Sequence, residues 1–152
     1  MIEQMDPIHE VASSSLRGAG QRYTRQRRRL VEILARAGRP LSLPEILHGR
    51  RGLAQSSVYR NLSSLADAGV VRRVVTGDEF GKYELSERIT EHHHHVICAR
   101  CGRTIDTTLP KPLETQLDRT LDAVAQRAGF ADVIHRLDVI GTCAECADKA
   151  GS

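Results

Sequence analysis

The four cysteines of this 152-residue chain fall in two Cys-x-x-Cys pairs, Cys98/Cys101 and Cys143/Cys146. Two residues between thiolates is the spacing that presents both sulfurs to one tetrahedral Zn2+ at about 2.3 Å. Gly102 follows the first pair, where so tight a turn needs a residue free to take positive φ. If both pairs hold one ion, the segment between them must fold back and bring its ends together. The rival readings are a thioredoxin-like redox pair and ordinary buried cysteines. A redox motif needs only one pair and opens a helix, whereas both pairs here are expected at strand ends. A shared structural Zn2+ is the expectation.

A chain of this length forms one domain or two small ones, and domains of roughly 60–80 residues sit near the size where a core alone is marginal. Aromatic residues make up 3% and Trp is absent, so a metal or a dimer interface is expected to help. Charge is unevenly spread. Residues 1–85 carry 14 Lys/Arg against 9 Asp/Glu, and residues 86–152 carry 8 against 10. A polyanionic partner therefore belongs to the first half. No apolar run is long enough to span a membrane, and the polar start, with Glu3, Asp6 and Glu10, is unlike an export signal. A cytoplasmic protein is expected, and there paired thiols bind metal more often than they form disulfides.

Local patterns divide the chain. Residues 1–20, with Ser13-Ser14-Ser15 and several glycines, are expected to be a flexible N-terminal segment. Thr24 is placed to cap a helix carrying Leu30, Val31, Ile33, Leu34 and Ala37 at the 3.6-residue period, with Gly38 as its stop. Ser42-Leu43-Pro44-Glu45 has the spacing of a capping box for a short second helix. Ser56 or Ser57 is expected to cap a third, with Val58, Leu62 and Leu65 on one face and Gly69 as its end. Val70–Val75 and Lys82–Leu85, separated by the turn-rich Thr76–Gly81, read as a hairpin. Three helices and a hairpin are the order of a winged helix-turn-helix, over residues 21–85. Residues 86–91 are polar and read as a hinge. In residues 92–152, His92–Cys98 and Thr104–Thr108 are expected strands. Leu113–Ala128 is an expected helix ended by Gly129, and Val133–Val139 an alternating final strand. The fold class is thus α+β: an N-terminal winged helix-turn-helix domain followed by a small β-β-α-β dimerisation domain with a four-cysteine zinc site.

His92-His93-His94-His95 runs straight into Val96-Ile97-Cys98. An affinity tag or a solvated loop is the bland explanation. On a strand, successive side chains alternate faces, so His92 and His94 point one way and His93 and His95 the other. One strand then supplies two metal sites, each with a pair of imidazoles. Glu84, Asp106, Glu114, Asp118 and His135 are the candidates to complete them. His135 lies on the apolar alternation of Val133, Leu137 and Val139, where a lone histidine is ordinarily a core residue. The nearby imidazoles reverse that preference.

Taken together, the segment Leu53–Leu62 with its Val58-Tyr59-Arg60, then Ala68–Val71, Tyr83-Glu84-Leu85, the histidine run and the two knuckles resemble the ferric uptake regulator (Fur) family over about Tyr23–Cys146. The resemblance implies a structural zinc on Cys98, Cys101, Cys143 and Cys146. It implies a regulatory site of Glu84, His93, His95 and Asp106 bridging the hinge. It implies an additional site of His92, His94, His135 and one carboxylate, which is Glu114 counted from the knuckle or Asp118 counted back from Gly129-Phe130. There are departures. Arg39-Pro40 stands where many iron and peroxide sensors place a histidine ligand. The hinge Cys and Asp of zinc sensors are absent, with Arg72 near the latter position.

The resulting expectation is a metal-dependent, DNA-binding transcriptional repressor of metal-homeostasis genes rather than an enzyme. It acts as a homodimer on an inverted-repeat operator in double-stranded DNA. Gln55, Ser56, Ser57, Tyr59 and Arg60 sit at the N-terminal end of the recognition helix, which reads bases. Arg25 and Arg28, in the basic cluster of the first helix, suit phosphates. The regulatory ion is Fe2+, Mn2+ or Zn2+, with iron or manganese ahead of zinc because the set has no thiolate. Zinc uptake regulators and peroxide-sensing regulators are the alternatives within the family. A metal-storage protein or a metalloenzyme is the more remote one.

Overall fold

The computed structural model describes residues 5–48, 52, 54–74 and 81–149. Helix α1 (Met5–Gly18) leads into α2 (Arg25–Ala37), β1 (Leu41–Ser42), α3 (Leu43–Leu47), α4 (Gln55–Asp67) and the strand pair β2 (Val71–Val74) and β3 (Lys82–Leu85). The second part runs β4 (His94–Cys98), β5 (Thr104–Thr107), α5 (Lys111–Arg127), β6 (Asp138–Gly141) and α6 (Ala144–Asp148).

Local chemistry accounts for most boundaries of the first part. Thr24 accepts from the backbone N–H of Arg27 at the start of α2, and Gly38 closes it at φ 57°. Ser42 and Glu45 form the reciprocal capping box of α3. Leu30, Val31 and Leu34 of α2, Ile46 of α3, and Val58, Leu62 and Leu65 of α4 bury one core with Val70, Val71 and Leu85. The β1-β3-β2 sheet closes it, with β3 in the centre. The turn expected at Thr76–Phe80 lies outside the described residues.

Two expectations need correction here. The N-terminal segment is not a featureless leader. Ile8, Ala12 and Leu16 recur every four residues, so α1 lays a stripe on the core, and Ala12 and Leu16 are fully buried. The serine triplet masks this period without breaking it. His9 is buried too, with Nδ1 2.7 Å from the Tyr23 hydroxyl. Second, neither Ser56 nor Ser57 caps α4; the helix starts at Gln55, with Ala54 as a cap that offers no side-chain bond. In the segment read as a hinge, Ser86–Thr90 forms a turn tied to the first part, with Ser86 Oγ donating to the Gly69 carbonyl at 2.6 Å and Ile89 packed on the helical core.

In the second part, β4 is central in a β5-β4-β6 sheet, antiparallel to β5 and parallel to β6. The final strand starts at Asp138, so the expected strand from Val133 is corrected: residues 133–137 belong to no strand. The second cysteine pair also departs from expectation. Cys143 follows β6 and caps α6, which contains Cys146, so this pair opens a short helix. No residue of α5 or β6 is buried. Leu113, Val124, Phe130, Ile134, Val139 and Ile140 are all exposed.

Candidate metal centres

Three donor sets emerge from this framework, and within each the ligand atoms all lie within 4.8 Å of one another. The first is Cys98, Cys101, Cys143 and Cys146. β4 delivers Cys98, and its parallel neighbour β6 carries the chain end back to Cys143 beside it. Cys101 and Cys143 Sγ are 3.8 Å apart. A tetrahedron with arms of about 2.3 Å has edges of about 3.8 Å, so the thiols fit a zinc ion. Backbone N–H groups of Cys143, Cys101 and Arg100 pull the Cys98 thiol down to about 6, whereas hydrogen bonds to neighbouring thiols, led by Cys143, push Cys146 up to about 12. The cluster accepts one negative charge readily and resists the rest until a cation compensates. With the second pair opening a helix, it is this four-fold convergence, not strand-end position, that argues against a redox pair.

The second set is Glu84, His93, His95 and Asp106. Strand geometry places all four. On β3, Tyr83 and Leu85 face the helical core while Lys82 and Glu84 face the second part. Lys82 is buried there, its ammonium donating to the Gly102 carbonyl beside the first knuckle and to Thr104 Oγ1. On β4, His95 lies opposite Asp106 of β5, and His93 shares its face. Glu84 Oε2 is 3.3 Å from His93 Nε2 and 3.1 Å from His95 Nε2, and Asp106 oxygens stand 4.0 and 3.9 Å from the same two nitrogens. Burial would raise the Glu84 carboxyl, but the hydrogen bond from His95 and the Arg72 charge outweigh it and hold it low. Burial would lower His95; its bonds to Glu84 and Asp138 outweigh that and raise it. Asp106 is raised by burial.

The third set is His92, His94, Glu114 and His135, on the opposite face of β4. Glu114 Oε1 is 3.2 Å from His92 Nε2 and 2.9 Å from His135 Nε2, and its Oε2 is 3.0 Å from His94 Nε2. Although close, Glu114 Oε1 and His135 Nε2 lack hydrogen-bond geometry and are buried without a hydrogen-bond partner. Buried polar atoms left without a hydrogen bond, close together beside two further imidazoles, are what a coordinated cation would satisfy. Glu114 is the carboxylate of this set. Asp118 stands one turn on and meets His135 Nδ1 at 3.1 Å, the place of a residue that orients a ligand.

Reasoning from the sequence missed Asp138, Glu87 and the part played by Arg72. Asp138 lies beside His95 in the parallel ladder, with Oδ1 3.0 Å from His95 Nδ1. Glu87, assigned only to a polar hinge, meets His92 Nδ1 at 2.8 Å. Arg72 is the cross-strand neighbour of Glu84 and pairs with it. No local pattern marks these residues, because strand register and a turn bring them in. Arg39 pairs with Glu45 at 2.9 Å, so it is occupied at the α3 capping box.

The expected nucleic-acid residues are largely exposed, Arg28 among them although it pairs with Glu32 at 3.4 Å. Gln55, Ser56, Tyr59 and Arg60 are exposed on the first turns of α4, and Arg25 and Arg28 on α2. Ser57 is half-buried and donates to Gln26 at 2.9 Å. Arg27 is turned inward to Asn61, Gln21 and the Arg22 carbonyl, bracing α2 against α4.

The chain is similar throughout its length to characterised proteins. It is 29% identical over 153 residues to the peroxide-responsive repressor PerR of Staphylococcus aureus, covering 97% of each chain. The Helicobacter pylori ferric uptake regulator, whose structure is described as revealing three functional metal-binding sites, superposes with a TM-score of 0.72 at 27% identity, over 94% of this chain and 93% of that one. The Vibrio cholerae ferric uptake regulator superposes with a TM-score of 0.62 at 27% identity, over 86% and 98%. Residues 18–140 match the sequence profile of one family, and with three donor sets gathered around β4 this chain belongs to it: the ferric uptake regulator family.

Proposed function

We propose that this protein is a metal-dependent transcriptional repressor that binds DNA as a homodimer and controls metal-homeostasis genes. One observation carries the reading. Glu84 belongs to the wing, His93, His95 and Asp106 belong to the other domain, and their ligand atoms converge. A cation shared by these four residues ties the two domains in one orientation, a population shift driven by its higher affinity for that arrangement. The four cysteines hold a structural Zn2+ that staples the second domain. The regulatory ion is Fe2+, Mn2+ or Zn2+, and imidazole and carboxylate donors without thiolate favour iron or manganese.

Dimerisation is supported by the uncovered apolar positions of α5 and β6, and by β6 being an edge strand able to pair with a second copy. Two recognition helices related by a two-fold axis then read an inverted repeat. Among the described residues no helix is long and apolar enough to cross a membrane, and a cytoplasmic site of action follows from the DNA target. A regulator is favoured over an enzyme or a storage protein by the family and by the exposed face of α4.

The test pairs two substitutions across β4, read by metal-dependent binding to DNA recovered by in vitro selection. His93→Ala is expected to abolish metal dependence while keeping one zinc per chain, and His92→Ala to weaken it less. Equal effects, or a larger loss from His92→Ala, would reverse the roles of the two faces. Similarity to the S. aureus repressor favours a second reading, peroxide sensing through iron. Under it, peroxide releases DNA from the Fe2+-loaded protein and leaves the Mn2+-loaded protein bound.

A further inference from the structure

The two His/carboxylate sets sit back to back on β4, and a continuous run of polar contacts around that strand joins them. It begins at Glu84. Its Oε2 faces His93 and His95, while its Oε1 accepts from Arg72 Nε. Arg72 Nη1 donates to Glu87 Oε1 at 2.6 Å. Glu87 Oε2 accepts from His92 Nδ1 at 2.8 Å, and His92 Nε2 lies 3.2 Å from Glu114 Oε1 inside the other set. Arg72 is largely shielded, at 11% side-chain exposure. Neither Arg72 nor Glu87 belongs to a donor set.

Resting on the reading that both sets bind metal, we propose that Arg72 and Glu87 are positioning residues that couple the two sites, so that filling either raises the affinity of the other. The chemistry is directional at each link. With Glu87 accepting from Nδ1, His92 is held in the tautomer whose Nε2 lone pair is free for a cation. Glu87 can do this only while its other oxygen is anchored, and the anchor is Arg72. Arg72 is in turn held by the Glu84 oxygen that the first set leaves over. Fixing Glu84 therefore orders His92, and by reciprocity fixing His92 orders Glu84. A guanidinium fork spans two carboxylates in one plane, which a lysine ammonium does not.

The experiment uses the full chain with its cysteine-site zinc retained and Co2+ as the probe, followed by visible absorption and calorimetry. His93→Ala removes the first set and leaves the His92/His94/Glu114/His135 set to be titrated alone. In the native background this change is expected to lower Co2+ affinity at the remaining set by about tenfold. In a Glu87→Gln background the remaining set starts weaker, and His93→Ala lowers it no further. Arg72→Lys, at the other end of the relay, is expected to remove the coupling as Glu87→Gln does, and serves as the second variant if Glu87→Gln lowers the melting temperature. An equal drop from His93→Ala with and without Glu87, or coupling that survives Arg72→Lys, overturns the proposal. If the unsubstituted chain takes up no Co2+ at either set, the metal-site reading falls and the coupling falls with it.

Discussion

Histidine, cysteine and carboxylate side chains do different work here according to what stands behind them. Cys98 is drawn to the thiolate by three backbone N–H groups, and Cys146 is held protonated by the thiols around it. A divalent cation removes that conflict, so binding at the knuckles is also folding free energy for a domain whose α5 and β6 hold no fully buried residue. Cys143→Ser is expected to lose the zinc and lower the melting temperature of the second domain, checked by elemental analysis alongside calorimetry. Retention of one zinc per chain with unchanged melting would show that the thiols are not a staple. Asp118 and Glu114 differ in the same sense. Both occupy one face of α5, yet Glu114 enters the donor set and Asp118 backs His135. Their four-residue separation made them equivalent on paper, and the position of His135 against the helix decides between them.

At the scale of elements, the proposed regulator offers α4 and α2 to DNA. Arg60 projects from α4 near its N-terminal end, whereas Arg28 sits on α2 with Glu32 one turn on. Arg60→Ala is expected to cost specific binding about 1–3 kcal/mol if it reads a base edge, with little effect on random DNA. Arg28→Ala should weaken binding to every sequence and reduce the salt slope by about one unit. Titrations at several salt concentrations separate them; an identical response of both variants on both DNAs would contradict the division. Helix α1 is an element whose importance the composition conceals. Leu16 is fully buried against the core, so Leu16→Ala is expected to cost about 2–5 kcal/mol in denaturant unfolding. A cost below about 0.5 kcal/mol would mean that α1 is not part of the folded unit.

For the molecule as a whole, β3 is the pivot. Its odd-numbered residues belong to the helical core, and its even-numbered residues, Lys82 and Glu84, meet the second domain. One strand thereby links the helical core of the first part to the first knuckle and to the second donor set. The other large-scale feature is the open face of α5 and β6, where Ile140 is 69% exposed on an edge strand. Ile140→Asp is expected to shift the protein to a monomer in sedimentation and to weaken operator binding, while the cysteine zinc stays bound. A monomeric unsubstituted protein, or an unchanged dimer in the variant, would place the interface elsewhere.

Spacing and period are local properties, and what depends on them was legible from the residues alone. The Cys-x-x-Cys pairs, the capping box at Ser42, the helical stripes of α2 and α4 and the two faces of the histidine run all follow from geometry within a few residues. They convey the winged helix and the clustering of ligands. What tertiary structure decided involves partners from distant segments. The parallel register of β4 with β6 sets Asp138 beside His95, the antiparallel register of β2 with β3 sets Arg72 beside Glu84, and the turn at 86–90 brings Glu87 to His92. Each of these side chains looks like ordinary surface charge when read along the chain. Their roles come from long-range strand pairing, whose register is set by the burial of whole faces and not by the charged residue itself.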